Sequence, residues 1–219
     1  MKRAKPDPRA GIIAVGRELD STGMMPNKSG NLSCRIPRGF LITPSGVPYE
    51  ELAPGQIVEF DDKGTPARGG LRPSSEWRMH AAIYACRPEV AAIVHTHSPS
   101  ATALSCAGVD IPAFHYMIAL AGGPIRCAPY ATFGSADLAA NAIAGLEGRR
   151  AVLLANHGVL AVGASLSAAQ AVAIEVENLA TQYLALRAAG LEPKVLDDAE
   201  LARVIEKFTD YGRITPGPR

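Results

Sequence analysis

The chain lacks what a nucleic-acid binder, a membrane protein or a disulfide scaffold would need. Its 22 basic and 21 acidic residues leave a formal charge of +1 with no basic block, and aromatics make up only 5%. Both the electrostatic footprint and the stacking surface of a polyanion binder are therefore missing. The longest apolar stretches, such as Ala151 to Leu154 and Val159 to Val162, are broken by Asn156, His157 and Gly158. They fall far short of the ~20 residues that a spanning helix requires. The four cysteines, Cys34, Cys86, Cys106 and Cys127, form no CxxC pair, and with no signal peptide in view a reducing, cytoplasmic setting is expected. Lysine is scarce as well. Lys2, Lys5, Lys28, Lys63, Lys194 and Lys207 all sit in polar, terminal or turn contexts, so none is desolvated enough to serve as an imine-forming amine.

What remains is an ordinary core-forming composition: 219 residues suit one domain. It is expected to span 1–219, with 1–8 and 213–219 as mobile tails. The pattern predicts a helix from about Arg9 to Thr22, then strands near Gly30 to Ser33, Gly39 to Ile42 and Ile57 to Phe60. A helix opens around Arg72 to His80 and closes at Arg87-Pro88. Val90 to Val94 reads as a buried strand, and Ser98 to Ala107 as a helix beginning at a proline. Asp110 to Met117 departs into a loop or strand. Further helices are expected from Ser135 to Leu146, from a Ser167-x-x-Gln170 cap to Gly190, and from Asp198 to Phe208. Ala151 to Leu154 and Val159 to Val162 read as strands, the second returning antiparallel.

The most informative stretch is Ile93-Val94-His95-Thr96-His97. Residues i and i+2 of a strand project from the same face, so His95 and His97 can offer their imidazoles to one point. His157, in the turn Asn156-His157-Gly158, supplies a third candidate. Three histidines and one carboxylate are the right kind and number of ligands for zinc or a similar divalent ion, and three firm protein ligands with a displaceable position mean catalysis rather than a structural clip. An ion so held polarises a carbonyl and stabilises the oxygen of an enediolate as negative charge develops.

Two small-residue turns, Gly30-Asn31 and Pro44-Ser45-Gly46, are rich in backbone NH and hydroxyl donors, as plain turns and phosphate cradles both are. Ser74 and Ser75 stand at the start of a helix, where unpaired NH groups also favour anions. Glu76 has two readings there, a first-turn glutamate that suits the helix dipole or a functional carboxylate. His80, one turn on, is expected to pack or hydrogen-bond beside it.

These motifs resemble the class II aldolase/adducin family, and within it the L-fuculose-1-phosphate aldolases. The resemblance runs from about Arg9 to Gly212. It rests on Gly-Asn-Leu-Ser at 30–33, Ile-Thr-Pro-Ser-Gly-Val-Pro-Tyr-Glu at 42–50, Pro-Ser-Ser-Glu-Trp-Arg at 73–78 and Val-His-Thr-His at 94–97. Further matches are Ile-Pro-Ala-Phe-His-Tyr-Met-Ile at 111–118, Cys-Ala-Pro-Tyr-Ala-Thr-Phe-Gly at 127–134 and Asn-His-Gly at 156–158. It implies an α/β fold, a central mixed and mainly antiparallel sheet with helices on both faces.

The resemblance also implies roles. His95, His97 and His157 would bind Zn2+, with Mn2+, Co2+ or Fe2+ as substitutes, and Glu76 would ligate the resting metal and then act as general acid/base. Gly30, Asn31, Ser45, Gly46, Ser74 and Ser75 would hold a phosphate. Tyr116 would be contributed by a neighbouring subunit of a C4 homotetramer, with active sites at subunit interfaces, and Phe133, Phe208 and Tyr211 would wall the aldehyde end. The implied reaction is reversible cleavage of a ketose 1-phosphate to dihydroxyacetone phosphate and an aldehyde, with L-fuculose 1-phosphate as the first expectation. The alternative substrates are 5-deoxyribulose and 5-methylthioribulose 1-phosphates. Related epimerases and dehydratases reuse the metal and phosphate pocket, and the adducin branch uses the fold for cytoskeletal interaction without the ligands. Two departures from the fuculose enzymes keep the sugar open: Asn156 stands where a second His commonly precedes the ligand, and Pro124 follows Gly122-Gly123 in a shortened stretch.

Overall fold

The computed structural model describes residues 7–210. Seven strands form one sheet: β1 (Asn31–Ile36), β2 (Gly39–Ile42), β3 (Val58–Phe60), β4 (Ala92–Thr96), β5 (Cys127–Ala128), β6 (Ala151–Leu154) and β7 (Gly158–Gly163). Their order is β3-β2-β1-β4-β7-β6-β5. The β5–β6 pair is parallel and the others are antiparallel, which gives the expected mixed, mainly antiparallel sheet.

Alternation along the strands divides the core in two. Leu32, Leu41, Val94, Leu153 and Val159 face one layer with Ile12 and Leu19 of helix α1 (Pro8–Ser21) and Leu104 of α3 (Pro99–Cys106). Val172, Val176 and Leu179 of α5 (Leu166–Ala188) and Leu201 of α6 (Asp198–Asp210) complete that layer. Ile42, Phe60, Ile93, Leu154 and Leu160 face the other, against Met79 and Ile83 of α2 (Trp77–Cys86) and Leu138 and Ala142 of α4 (Ala136–Gly145). Each fully buried aliphatic side chain of this kind stabilises the fold by roughly 1.5–3 kcal/mol. Arg35 locks α2 over β1 by donating to the carbonyls of Val90, Tyr84 and Arg87, which satisfies the end of that helix.

β4 lies at the centre of the sheet and all five of its residues are buried. The register sets Asn31 opposite His95 on one side and Leu160 opposite it on the other. A polar ring is thereby placed at the middle of the sheet, where it must find partners.

Several local expectations are corrected. The strand that carries His95 runs Ala92–Thr96 rather than Val90 to Val94, and His97 lies one residue past its end. Helix α5 is capped by Ser165, whose hydroxyl accepts from the Ala168 NH at 3.1 Å, and not by Ser167. The Asp110 to Met117 segment leads into a 3-10 helix, Tyr116–Ala121, tied by a bridge between Ile111 and Ile125. β5 carries no signal in the sequence pattern. Residues 1–6 and 211–219, which include most of the expected tails, lie outside the described residues, and so does Tyr211.

Candidate active site

The antiparallel pairing of β4 with β7 sets Thr96 opposite Val159. The β6–β7 hairpin tip therefore stands beside the end of β4. Asn156 takes a left-handed turn there, with φ of 56°, a conformation that Asn tolerates better than most residues. Gly158 follows because a Cβ at that position would lie 2.5 Å from the Thr96 carbonyl oxygen. His157 is thereby carried to His95 and His97 across some sixty residues of sequence.

The three imidazoles form a tripod. Ring centroids are 4.9 Å apart for His95 and His97, 4.8 Å for His95 and His157, and 5.0 Å for His97 and His157, with interplanar angles of 69°, 80° and 90°. Each ring presents a ligand nitrogen to a common space, all within 4.8 Å of one another. His95 Nδ1 lies 2.9 Å from the Val159 carbonyl oxygen. A carbonyl only accepts, so Nδ1 carries the hydrogen and Nε2 faces the centre. The His97 NH donates to Met24 O at 3.1 Å, which fixes the chain just past the strand.

Glu76 closes the fourth side. Its Oε2 lies 3.0 Å from His95 Nε2 and its Oε1 3.2 Å from His157 Nε2, while the Asn31 amide donates to Oε2 at 2.9 Å. The glutamate occupies the N-cap position of α2, yet its side chain makes no capping bond. Ser74 Oγ accepts the Glu76 NH at 3.3 Å. The carboxylate is thus turned to the histidines and not spent on the helix.

This donor set fits a divalent ion. Ligand atoms at ~2.1 Å from a tetrahedral ion stand about 3.4 Å apart, and His95 Nε2 and His97 Nε2 are 3.0 Å apart. Glu76 is buried, and its Oε1 has no hydrogen-bond partner among the described residues, the His157 approach being a contact without hydrogen-bond geometry. A cation between these groups would satisfy lone pairs that otherwise face one another. Proton affinities divide, His97 and His157 being kept neutral while His95 is drawn toward a proton by Glu76. Burial, then the charge of His95, pushes His157 down to about 4, and burial with the charges of His95 and His157 pushes His97 down to about 3. Burial opposes the charge of His95, but the Glu76 carboxylate and the Val159 carbonyl more than reverse this and raise its proton affinity. Glu76 is raised by burial, but the charge and hydrogen bond of His95, the charge of His157 and the Asn31 amide hold it well below the usual carboxylate range.

Behind the centre, Ser33 Oγ lies 2.7 Å from both His80 Nδ1 and Tyr84 OH. His80 is fully buried in that network and stands outside the histidine tripod, as its expected packing role implies.

The centre opens into a pocket of about 330 Å³. Gly30, Asn31, Ser45, Gly46, Ser74 and Ser75 all line it, together with Glu76, His97, His157 and Phe133. Gly30 has φ of 93°, and a Cβ there would stand 2.6 Å from the His95 carbonyl oxygen, so only glycine lets this turn press against β4. Asn31 also holds Glu76, to which its amide NH2 gives one of its two hydrogens. The structure does not bring Tyr116 or Phe208 to this pocket. Their rings pack near each other, centroids 6.4 Å apart, and Tyr116 is 54% exposed. Sequence reasoning missed Lys28, Ser29, Tyr130 and Asn156, which also line the pocket. Lys28 reads in sequence as an ordinary polar turn residue, and only the pairing of β1 with β4 brings it to the site.

Comparison with known proteins agrees with this geometry. Residues 10–184 match the Class II Aldolase and Adducin N-terminal domain. The chain is 50% identical over 206 residues to the 5-methylthioribulose-1-phosphate/5-deoxyribulose-1-phosphate aldolase of Rhodospirillum rubrum, covering 93% of this chain and 92% of that one. It is 46% identical over 202 residues to the L-fuculose phosphate aldolase of Escherichia coli K12, covering 92% and 94%. A solved L-fuculose 1-phosphate aldolase superposes with a TM-score of 0.90 at 42% identity, covering 94% of this chain and 98% of that one.

Proposed function

The chain belongs to the class II aldolase and adducin family, and from that membership and the pocket we propose that this lyase cleaves a 5-deoxy- or 5-methylthio-pentulose 1-phosphate to dihydroxyacetone phosphate and an aldehyde. The observation that carries the reading is one pocket lined both by the turns at Gly30, Ser45-Gly46 and Ser74-Ser75 and by Glu76, His97 and His157. A phosphate at the turns sets the carbonyl of a ketose 1-phosphate beside the histidines.

Zn2+ suits the three imidazoles and one carboxylate best, with Mn2+, Co2+ or Fe2+ as substitutes, and such an ion supplies the Lewis acidity that polarises the ketose carbonyl. The chain's own residues do the rest. At rest Glu76 contacts His95 and His157 and accepts from the Asn31 amide, and it takes up a solvent proton once it turns from them toward the substrate. It then gives that proton to C3 of the three-carbon fragment as the C3–C4 bond breaks, while the proton of the C4 hydroxyl leaves to the acid/base at the aldehyde oxygen. Tyr116 lies outside its own chain's pocket, and its role as the acid/base at the aldehyde oxygen is assigned to a neighbouring subunit. With it we propose a C4 homotetramer of single-domain chains with sites at the subunit boundaries, as the family resemblance implies. We place the enzyme in the cytoplasm; among the described residues no helix is long and apolar enough to cross a membrane.

The substrate choice rests on the 50% relative and on the mouth of the pocket. Tyr130 and Phe133 are exposed aromatics there, at 63% and 66%, and suit a methyl or thioether end. The E. coli relative supports L-fuculose 1-phosphate, with L-lactaldehyde as product, as the second reading. The filled ligand positions favour an enzyme over an interaction module. Condensation of dihydroxyacetone phosphate with a panel of aldehydes decides between the sugars. Methylthioacetaldehyde or acetaldehyde is expected to exceed L-lactaldehyde in kcat/KM by about tenfold or more, in the range that small apolar groups discriminate. A preference for L-lactaldehyde would overturn the choice in favour of the fuculose reading.

A further inference from the structure

Among the described residues, three that are not glycine have positive φ: Asn27 at 56°, Lys28 at 63° and Asn156 at 56°. Asn enters this region readily, whereas a lysine does so at a cost, because its Cβ crowds the following carbonyl. Left-handed backbone at a non-glycine residue persists only where the surroundings impose it, and it concentrates at functional sites. Here the surroundings are plain. Met25 is fully buried on one side of the turn, and Gly30 is pressed against the His95 carbonyl on the other. The Ser29 NH and hydroxyl both close back on Pro26 O, the NH at 3.0 Å. The turn is pinned at both ends, and its strained member is directed into the pocket wall.

Among the described residues Lys28 is the one lysine or arginine that lines the pocket. Among the described residues no hydrogen bond or ion pair holds its ammonium. The remaining donors at the turns, the backbone NH groups and the Ser45, Ser74 and Ser75 hydroxyls, are neutral. Glu76 adds a negative charge nearby. Without Lys28 a phosphate dianion in this pocket would meet no lysine or arginine among the described lining residues, and a lysine ammonium is a suitable point-charge partner for it.

We infer that Lys28 is a phosphate-binding residue, whose ammonium pairs with the phosphate of the substrate and sets the preference for phosphorylated over unphosphorylated ketoses. The inference rests on the phosphate site in the pocket proposed above. Titration of inorganic phosphate into the metal-loaded full-length chain tests it, with wild type, Lys28→Gln, Lys28→Gly and Lys28→Arg compared by calorimetry and thermal unfolding. Any phosphate bound at the ion contributes equally to all four. The Gln and Gly variants are expected to bind about tenfold more weakly, as for loss of a charged hydrogen bond, and Arg within about threefold of wild type. Lys28→Gly should keep or raise Tm, since glycine relieves the left-handed strain. Weaker binding and greater stability moving together distinguish recognition from a structural role. If Lys28→Gly lowers both Tm and affinity, or if Gln and Gly bind as tightly as wild type, the inference fails while the pocket reading stands. If wild type itself does not bind phosphate, both fail.

Discussion

Replacement of Glu76 by glutamine is expected to lower turnover by about 10²–10⁴-fold, the range of a lost general acid/base, while the metal stays bound. The substitution preserves shape. A glutamine carbonyl can still accept from the Asn31 amide, as Oε2 does at 2.9 Å, and Ser74 still holds the backbone NH at 3.3 Å. What is lost is the capacity to take up a proton and deliver it. His95, His97 and His157 are untouched, so metal content should remain close to that of wild type. Condensation rate and metal content measured on the same preparation check both halves. Turnover within a few-fold of wild type, with the ion retained, would show that another group carries the proton.

Removal of His157 to alanine should cost metal affinity far more than stability. His157 sits at a hairpin tip and its side chain is 12% exposed, so its loss leaves both core layers intact. A surface-proximal truncation of that kind changes stability by about 0.5–1 kcal/mol. Loss of a direct ligand, by contrast, should exceed the roughly 10–100-fold penalty measured when only an outer-shell partner is removed. His95→Ala would be a poorer choice. That ring is fully buried at the centre of the sheet and satisfies the Val159 carbonyl, so its removal would destabilise the fold and confuse the readout. Competition against a chromophoric chelator measures the His157→Ala affinity directly. A wild-type value would mean that His157 is no ligand.

Much of this site is legible in the sequence because its geometry is local. The two-residue period brings His95 and His97 together in the sequence although His97 lies one residue past the end of β4, and the turn glycines announce themselves by composition. Glu76 is ambiguous for a physical reason. An acid at the start of a helix serves the dipole or a site equally well, and only its contacts with His95 and His157, with no capping bond made, show which. Asn31 was open in the same way, since one amide can hold an anion or a carboxylate's orientation. The cap of α5 falls to Ser165, because the helix already starts at Leu166 and Ser167 lies inside its first turn. β5 is two residues long and defined by its parallel partner β6, so no period could reveal it. Lys28 was hidden because its meaning lies in a backbone conformation and in a pairing with a strand some sixty residues away. Tyr116 and Phe208 match motifs but face away from their own chain's pocket, so a single chain does not bring the motif residues together. Tyr211 lies outside the described residues.

The most direct test of the metal-centred aldolase is the condensation rate of one preparation before stripping with a chelator, after stripping, and after restoration with zinc. The expected result is about one divalent ion per chain at the start, loss of carbon–carbon bond formation on stripping, and its return with the ion, in keeping with a single site of three histidines. Undiminished condensation by a chain holding less than about a tenth of an equivalent of metal would contradict it, because a site built on one catalytic ion cannot turn over without that ion.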